Sequence, residues 1–216
     1  MLEVALGGRS DAALRILCLG AHSDDIEIGC GGTILRLLAE RPGSSVDWVV
    51  FSATPDRERE ARASAADFLS LAAKSSVVVK GFRESHFPAA WTDVKAFVEE
   101  LRPLQPDVIL CHRRLDEHQD HRTIGELVWN TFRRHLILEY EIPKYEGDLG
   151  QPNVFVPLSH AAVARKVDLL ARHFASQATR SWFRPETFRG LMAIRGVECN
   201  APDGWAEGFY ARKLRL

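Results

Sequence analysis

The chain has 216 residues, with 28 basic and 29 acidic side chains and a formal net charge of −1 at pH 7. This balance gives no overall electrostatic reason to expect nucleic acid or an anionic membrane as a partner. Hydrophobic residues make up 46% and charged residues 26% of the sequence, values that exclude a disordered chain or a coiled coil. The longest apolar runs are far too short to span a bilayer. We therefore expect a soluble globular protein with no membrane insertion and no nucleic-acid partner.

The cysteines indicate the compartment. The sequence has four, widely separated and without a C-x-x-C pair. The first residues lack a basic stretch followed by a long apolar one, so they do not resemble a secretory signal. Scattered cysteines without such a signal are typical of a reducing compartment. We expect a cytoplasmic protein without disulfides.

Short apolar runs alternate with amphipathic segments over the first two thirds of the chain. The apolar runs predict strands over residues 16–20, 46–51, 77–80 and 108–111. The amphipathic segments predict helices over residues 29–40, 57–73, 92–101 and 121–132. Because parallel strands need long crossovers, this alternation favours a parallel sheet covered on both faces. Right-handed crossovers then give a Rossmann-like, doubly wound α/β fold.

The last third of the chain is less regular. Its patterns predict strands over residues 136–142 and 153–157, helices over residues 161–174 and 181–194, and a closing strand over residues 206–216. No linker rich in Gly, Ser or Pro divides the sequence, so we expect one domain over residues 1–216. Residues 15–135 would form its Rossmann-like core, and residues 136–216 an extension that lines the active-site edge. Aromatic side chains in the extension suit a core, a sugar-binding face or the contact surface of a homo-oligomer.

Two polar clusters directly follow predicted strands. Residues 21–27, with the sequence AHSDDIE, follow the first strand, and residues 112–121, HRRLDEHQDH, follow the fourth. Ligands of open α/β sheets bind outside the carboxyl ends of the strands, where the strand order reverses. A strand order of 3-2-1-4-5 makes strands one and four neighbours, so both clusters would lie at one site.

That site would combine histidines with carboxylates. The residues brought together are His22, His112, His118, His121, Asp24, Asp25, Asp116 and Asp120. Uncompensated carboxylates repel one another, and a divalent cation relieves that repulsion. Two imidazoles and one carboxylate are a common catalytic zinc set that leaves a coordination position for water. Each cluster alone is also consistent with surface histidines and with helix N-cap residues. The presence of both clusters at one site is what favours metal binding.

The two clusters resemble the signatures of a known family. The sequence AHSDDIEIGCGG is similar to A-H-P-D-D-x-E-x-G-x-G-G of the LmbE-like (PIG-L) zinc-dependent de-N-acetylases, and HRRLDEHQDHRT resembles that family's second motif, H-x-x-x-D-x-H-P-D-H. The resemblance covers about residues 15 to 135. Ser23 and Gln119 stand where the family often has proline, and neither position supplies a ligand.

The resemblance also implies roles for individual residues. The implied zinc ligands are His22, Asp25 and His121. Asp24 would be the general base, His118 the electrophilic or general-acid histidine, and Asp120 the residue that orients His118.

Three further residues have implied roles outside this set. His112 and Asp116 match the start of the second motif and would fix its loop. A basic residue after the family's second strand contacts substrate, and Arg57 is aligned with it, with Arg59 as a close alternative. A solvated, charge-rich helix start explains either arginine equally well.

The resemblance implies a hydrolase that removes acetyl from an N-acetylated amino sugar of the N-acetylglucosamine type, through a zinc-activated water. One zinc ion per chain is expected, although iron(II) or another divalent metal suits the same ligands. A zinc-dependent amidase acting on another small amide conjugate is the first alternative. The second is a Rossmann-like nucleotide-binding module, suggested by GCGGT at residues 29–33. Its spacing is not G-x-G-x-x-G, and the second strand ends without an acidic residue to bind a ribose.

Overall fold

The computed structural model describes residues 12–214, which are built around one seven-stranded sheet. Its strands are β1 (Arg15–Gly20), β2 (Ser45–Val50), β3 (Lys74–Val79), β4 (Val108–His112), β5 (Leu136–Tyr140), β6 (Val154–Leu158) and β7 (Trp205–Tyr210). They lie in the order β3-β2-β1-β4-β5-β7-β6. Strands β1 to β5 pair in parallel, and β7 is antiparallel to both β5 and β6. The predicted doubly wound α/β fold, with order 3-2-1-4-5 in its first five strands, is confirmed.

Helices cover both faces of this sheet. They are α1 (Asp25–Glu40), α2 (Pro55–Phe68), α3 (Trp91–Glu100), α4 (Gln119–Thr131), α5 (His160–His173) and α6 (Pro185–Cys199). The apolar side chains of α1, α2, α5 and α6 pack into one core, and those of α3 and α4 pack into a second core on the opposite face. Among residues 12–214, no helix combines the length and the apolar character needed to cross a membrane.

Several element boundaries differ from the sequence-based prediction. The helix predicted over residues 57–73 ends at Phe68, and the strand predicted over residues 77–80 begins at Lys74. The first three side chains of β3 are exposed at the edge of the sheet, so they carry no apolar pattern that would mark a strand. The helix predicted from residue 29 begins earlier, at Asp25, so part of the first polar cluster is helical.

The extension shows the same kind of difference. The helix predicted over residues 181–194 runs from Pro185 to Cys199, because proline fits the first turn of a helix and Asn200 ends it in a left-handed conformation. The predicted closing strand is shorter, ending at Tyr210, and residues 215–216 lie outside the described part of the chain. Strands β5, β6 and β7 all belong to the same sheet as the core strands.

The sheet topology places the two polar clusters side by side. Strands β1 and β4 are direct neighbours, with Ile16 paired to Val108 and Cys18 paired to Leu110. The first cluster leaves the carboxyl end of β1, and the second begins at His112, the last residue of β4. The strand-order argument for a shared site is therefore confirmed at the level of the backbone.

Candidate metal and active site

Three side-chain atoms of the two clusters converge on one point. Nε2 of His121 lies 3.2 Å from Nδ1 of His22, which lies 3.3 Å from Oδ2 of Asp25. The third separation, from His121 Nε2 to Asp25 Oδ2, is 3.5 Å. Two ligand atoms about 2.0–2.1 Å from a tetrahedral metal ion are about 3.3–3.4 Å apart. These three residues therefore have the chemistry and the spacing to hold a divalent cation such as zinc.

Local backbone structure holds the three side chains in place. His22 lies in the turn after β1, and its backbone N–H donates to Oδ2 of Asp25 at 2.7 Å, which closes the turn into the start of α1. His121 lies in the first turn of α4, where His118 is the N-cap. The side chains of Asp25 and His121 are only 5% and 4% exposed, which keeps competing water away from them.

Second partners orient both histidines. Oδ2 of Asp116 lies 3.2 Å from Nδ1 of His121, so the imidazole directs Nε2 toward the convergence point. Oδ2 of Asp120 lies 3.2 Å from Nε2 of His22, which directs Nδ1 of that ring to the same place. Carboxylates bound to the far nitrogen of an imidazole fix its tautomer and its ring orientation, and they are typical of histidines that ligate metals.

This arrangement changes the expected role of Asp120. Its carboxylate contacts His22 and accepts hydrogen bonds from the backbone N–H groups of Ser85, at 2.6 Å, and Phe87, at 3.1 Å. The expectation that it orients His118 is therefore wrong for the carboxylate. Only the backbone N–H of Asp120 reaches His118, donating to its Nδ1 at 3.3 Å. The reason is that α4 starts at this point, so the side chain of His118 turns back to cap the helix.

His118 keeps one nitrogen available. Because its Nδ1 accepts a hydrogen bond, the ring proton of the neutral form lies on Nε2. The ring centroid is 5.0 Å from that of His22 and 4.5 Å from that of His121, so His118 borders the convergence point. Burial lowers the pKa of His118, and a positive charge on His22 lowers it further. A neutral imidazole with its proton on Nε2 is a hydrogen-bond donor for a substrate oxygen.

His112 is also close to the three converging atoms. Its Nε2 lies 3.1 Å from Oδ2 of Asp25, and its ring stacks on that of His121 with centroids 3.9 Å apart. The same Nε2 accepts the backbone N–H of Ala21 at 2.8 Å, which occupies the lone pair that a metal ion would need. His112 therefore suits a supporting position better than a ligand position.

The titration behaviour of the site follows from burial and charge. Burial lowers the pKa of His22, but the carboxylates of Asp25 and Asp120 outweigh it and raise the pKa to about 10. Burial lowers the pKa of His121 to about 3, and its electrostatic interaction with the neighbouring His112 contributes to the lowering. Burial alone would raise the pKa of Asp25, yet the surrounding histidines lower it well below its usual range. The site thus combines one histidine whose pKa is raised with a histidine and a carboxylate whose pKa values are lowered.

Asp24 has the opposite character from its neighbour Asp25. Its side chain is 6% exposed, and burial raises its pKa, with the charge of Asp25 adding to the rise. Arg57 partly offsets these effects, since its Nη2 lies 3.0 Å from Oδ2 of Asp24. A buried carboxylate with a raised pKa is a stronger proton acceptor than an exposed one, which suits a general base.

Arg57, rather than Arg59, reaches the site. Its guanidinium contacts Asp24 and Glu60, donates to Oγ of Ser176 at 3.0 Å and lies 5.2 Å from the ring centroid of Phe174. Arg59 is exposed and pairs with Asp56 on the surface of α2. The contacts with Phe174 and Ser176 also bring the C-terminal extension to this edge of the site.

Sequence reasoning missed the supporting residues outside the two motifs. Nζ of Lys144 lies 3.1 Å from Oδ2 of Asp116 and also contacts Asp148, so it holds the carboxylate that orients His121. The hydroxyl of Tyr140 donates to the carbonyl of Leu19 at 2.6 Å, beneath the site. No spacing or motif marks Lys144, and the backbone donors of residues 85 and 87 leave no trace in side-chain patterns.

The fold and this cluster together define a candidate metal site at the switch point of a doubly wound α/β sheet. The profile of one protein family, PIG-L (GlcNAc-PI de-N-acetylase), matches residues 17–132, which is more than half of the chain. The chain belongs to the PIG-L family, whose deacetylases are metal-dependent. No curated protein sequence matches it.

Solved structures share the fold at low sequence identity. The conserved protein TT1542 from Thermus thermophilus is 19% identical, with a TM-score of 0.72 over 94% of this chain and 96% of that one. The N,N'-diacetylchitobiose deacetylase from Pyrococcus horikoshii is 21% identical, with a TM-score of 0.71 over 91% and 83%. GalB, the 4-carboxy-2-hydroxymuconate hydratase from Pseudomonas putida, is 17% identical, with a TM-score of 0.76 over 94% and 97%. A hydratase and a deacetylase share this fold, so the fold alone does not select the reaction.

Proposed function

We propose that this protein is a zinc-dependent de-N-acetylase that hydrolyses the acetamide of an N-acetylated amino sugar. The observation that carries the proposal is the convergence of His22 Nδ1, Asp25 Oδ2 and His121 Nε2 at 3.2–3.5 Å, with the buried carboxylate of Asp24 adjacent in sequence. In this proposal His22, Asp25 and His121 hold the cation. When bound, the cation polarises the acetyl carbonyl and lowers the pKa of water toward about 7.

The remaining residues of the site bind and move protons. Asp24 accepts a proton from the attacking water, for which its raised pKa suits it. His118 donates a hydrogen bond from Nε2 to the oxygen of the tetrahedral intermediate. The proton that Asp24 accepts from the water is then passed to the departing amine, which regenerates the Asp24 carboxylate. Arg57, held 3.0 Å from Asp24, binds a polar group of the substrate beside the base.

Supporting residues maintain this arrangement. Asp116 and Asp120 orient His121 and His22, and the ring of His112 stacks on that of His121. We extend the proposal to a cytoplasmic protein with one metal ion per chain and a small-molecule substrate. Assembly as a homo-oligomer stays a prediction from the sequence.

A substrate panel tests the reaction. The purified protein is incubated with N-acetylglucosamine derivatives and with other small N-acyl conjugates, and acetate and free amine are quantified with and without a chelator. We expect acetate from N-acetyl sugars, loss of activity with the chelator, and recovery when zinc, iron(II) or cobalt(II) is added. The variant Asp56→Asn, which changes an exposed carboxylate on α2, is the matched control and retains activity.

The same panel separates the alternatives. If the protein released an acid only from amino-acid or thiol conjugates, its substrate would be another small amide and not an N-acetyl sugar. The proposed metal chemistry would be unchanged. If the metal-loaded protein cleaves no amide of the panel, the proposed hydrolysis is wrong.

A further inference from the structure

Helix α1 is interrupted shortly after its start. Cys30 has φ −145° and ψ 15°, outside the helical region, so α1 consists of a first turn and a longer second part. The first turn carries Asp25, and the second part begins at Gly31 and Gly32. An interruption of this kind leaves backbone N–H groups on one side and carbonyl groups on the other without intrahelical partners, as at any helix end.

Glu207 of β7 binds the N–H groups at the interruption. Its Oε1 accepts from Gly32 at 2.9 Å, and its Oε2 accepts from Thr33 at 2.7 Å. The positive end of the helix dipole favours an anion there. A nucleotide-binding turn would offer these N–H groups to a phosphate, whereas here the protein's own buried carboxylate fills that place. This argues against the nucleotide-binding interpretation of the glycine cluster.

Lys166 of α5 connects both sides of the interruption. Its Nζ lies 2.6 Å from the carbonyl oxygen of Ile28 and 2.6 Å from Oε1 of Glu207. The side chains of Lys166 and Glu207 are only 2% and 3% exposed, so each charge depends on the other for compensation. One buried ion pair from the C-terminal extension thus binds the end of the first turn and the start of the second part.

We propose that Lys166 and Glu207 are positioning residues for the candidate metal site. They fix the first turn of α1 through the backbone of Ile28 and Gly32, so that Oδ2 of Asp25 lies 3.3 Å from Nδ1 of His22. This inference rests on the metal site of the proposed function. Outer partners that orient ligands typically contribute about 10- to 100-fold to metal affinity.

Metal affinity provides the first test. Glu207→Gln keeps the shape of the side chain, and the double variant Lys166→Met with Glu207→Leu removes both charges without leaving one unpaired. Cobalt(II) affinity is measured by competition with a chelator, and the visible absorption of bound cobalt reports the ligand geometry. We expect affinity to fall about 10- to 100-fold in the double variant, with an altered spectrum and a smaller loss in Glu207→Gln.

The control is Val98→Ala, which truncates a buried side chain in the core on the opposite face of the sheet. We expect it to lower the melting temperature. Because Val98 belongs to a different core from α1 and α5, we expect the cobalt affinity and spectrum of this variant to equal those of the wild type. An affinity loss in this control as large as in the double variant would mean that general destabilisation explains the result and would overturn the inference.

Amide hydrogen exchange of the metal-free proteins provides the second test. We expect the first turn of α1, including the N–H of Ile28, to lose protection in the double variant but not in Val98→Ala. Unchanged affinity and unchanged protection of this turn would overturn the positioning role while leaving the proposed function intact. A wild-type protein that binds no cobalt would instead overturn the proposed function. In that case the exchange data alone would test the positioning role: loss of protection of this turn in the double variant would support it, and retained protection would overturn it.

Discussion

Replacing Asp24 by asparagine is expected to preserve or raise the stability of the protein and to lower its activity. Burial and the neighbouring charge of Asp25 raise the pKa of Asp24, even though Arg57 lies 3.0 Å away and opposes them. A carboxyl with a raised pKa contributes stability below its unfolded pKa and loses it as the pH rises, so at pH 7 the ionised group destabilises the fold. A neutral amide of the same shape removes this effect, while Arg57 keeps its contact with Glu60. We expect metal-free Asp24→Asn to unfold at the same or a higher urea concentration than the wild type.

The effect on turnover has the opposite sign. A positioned general base typically contributes about 10²- to 10⁴-fold in rate, which corresponds to about 3 to 5 kcal/mol of activation free energy. Asp24 provides none of the three converging atoms, so the variant should keep its metal ion. We therefore expect kcat/KM for acetate release to fall by about 10²- to 10⁴-fold with an unchanged metal content.

Steady-state acetate release, urea unfolding and elemental analysis on the same preparation measure these quantities together. Asp56→Asn makes the same chemical change on an exposed carboxylate and should leave all three unchanged. Turnover of Asp24→Asn within tenfold of the wild type would refute the role of Asp24 as the base. If Asp24→Asn lost its metal ion, Asp24 would itself be needed for metal binding. That result would refute the assignment of His22, Asp25 and His121 as the three protein ligands.

Three further predictions concern neighbouring groups. The pKa of His22 is raised to about 10, so below that pH divalent metal binding should release a proton and strengthen as the pH rises, as measured by calorimetry in buffers of different ionisation enthalpy. Asp116→Asn weakens the contact with Nδ1 of His121, and competition titration should show about 10- to 100-fold weaker metal binding. Gly29→Ala places a Cβ 2.2 Å from Cδ2 of Tyr140. Urea unfolding should show that the free energy of unfolding falls by about 1–3 kcal/mol or more.

Each of the two substitutions has a matched control, and each of the three predictions has a result that contradicts it. Asp107→Asn changes a carboxylate at the opposite end of the sheet and should leave metal affinity unchanged. Gly190→Ala adds a Cβ with nothing within 4 Å, so it should not destabilise the protein. Metal binding without proton release, an Asp116 variant of full affinity, or a Gly29 variant of full stability would each show that the corresponding contact is misassigned.

The sequence was most informative for elements that are buried on both faces. The strand predicted over residues 16–20 is observed as Arg15–Gly20, and that over residues 108–111 as Val108–His112, because central parallel strands are continuous apolar runs. The edge strand β3 was found only in its second half, since its exposed start is polar. Helix α1 was predicted without its first turn, because that turn is held by Lys166 and Glu207, far away in the chain.

In the candidate site, too, some features follow from the sequence and the strand order, and others depend on tertiary contacts. His22, Asp25 and His121 could be placed together because they follow neighbouring strands, so the topology alone joins them. The partner of the Asp120 carboxylate could not be predicted, since it depends on where α4 begins and which way its N-cap turns. Lys144 was missed for a similar reason, because a tertiary contact with Asp116 leaves no pattern in the sequence around it.

Metal stoichiometry of the wild type and of His121→Ala tests the central claim most directly. His121 contributes one of the three converging atoms, and its removal leaves His22 and Asp25 without a third partner. We predict about one divalent ion per wild-type chain by elemental analysis and loss of that ion in the variant. A wild-type protein without metal after reconstitution with zinc, or a variant with the same metal content as the wild type, would contradict the account.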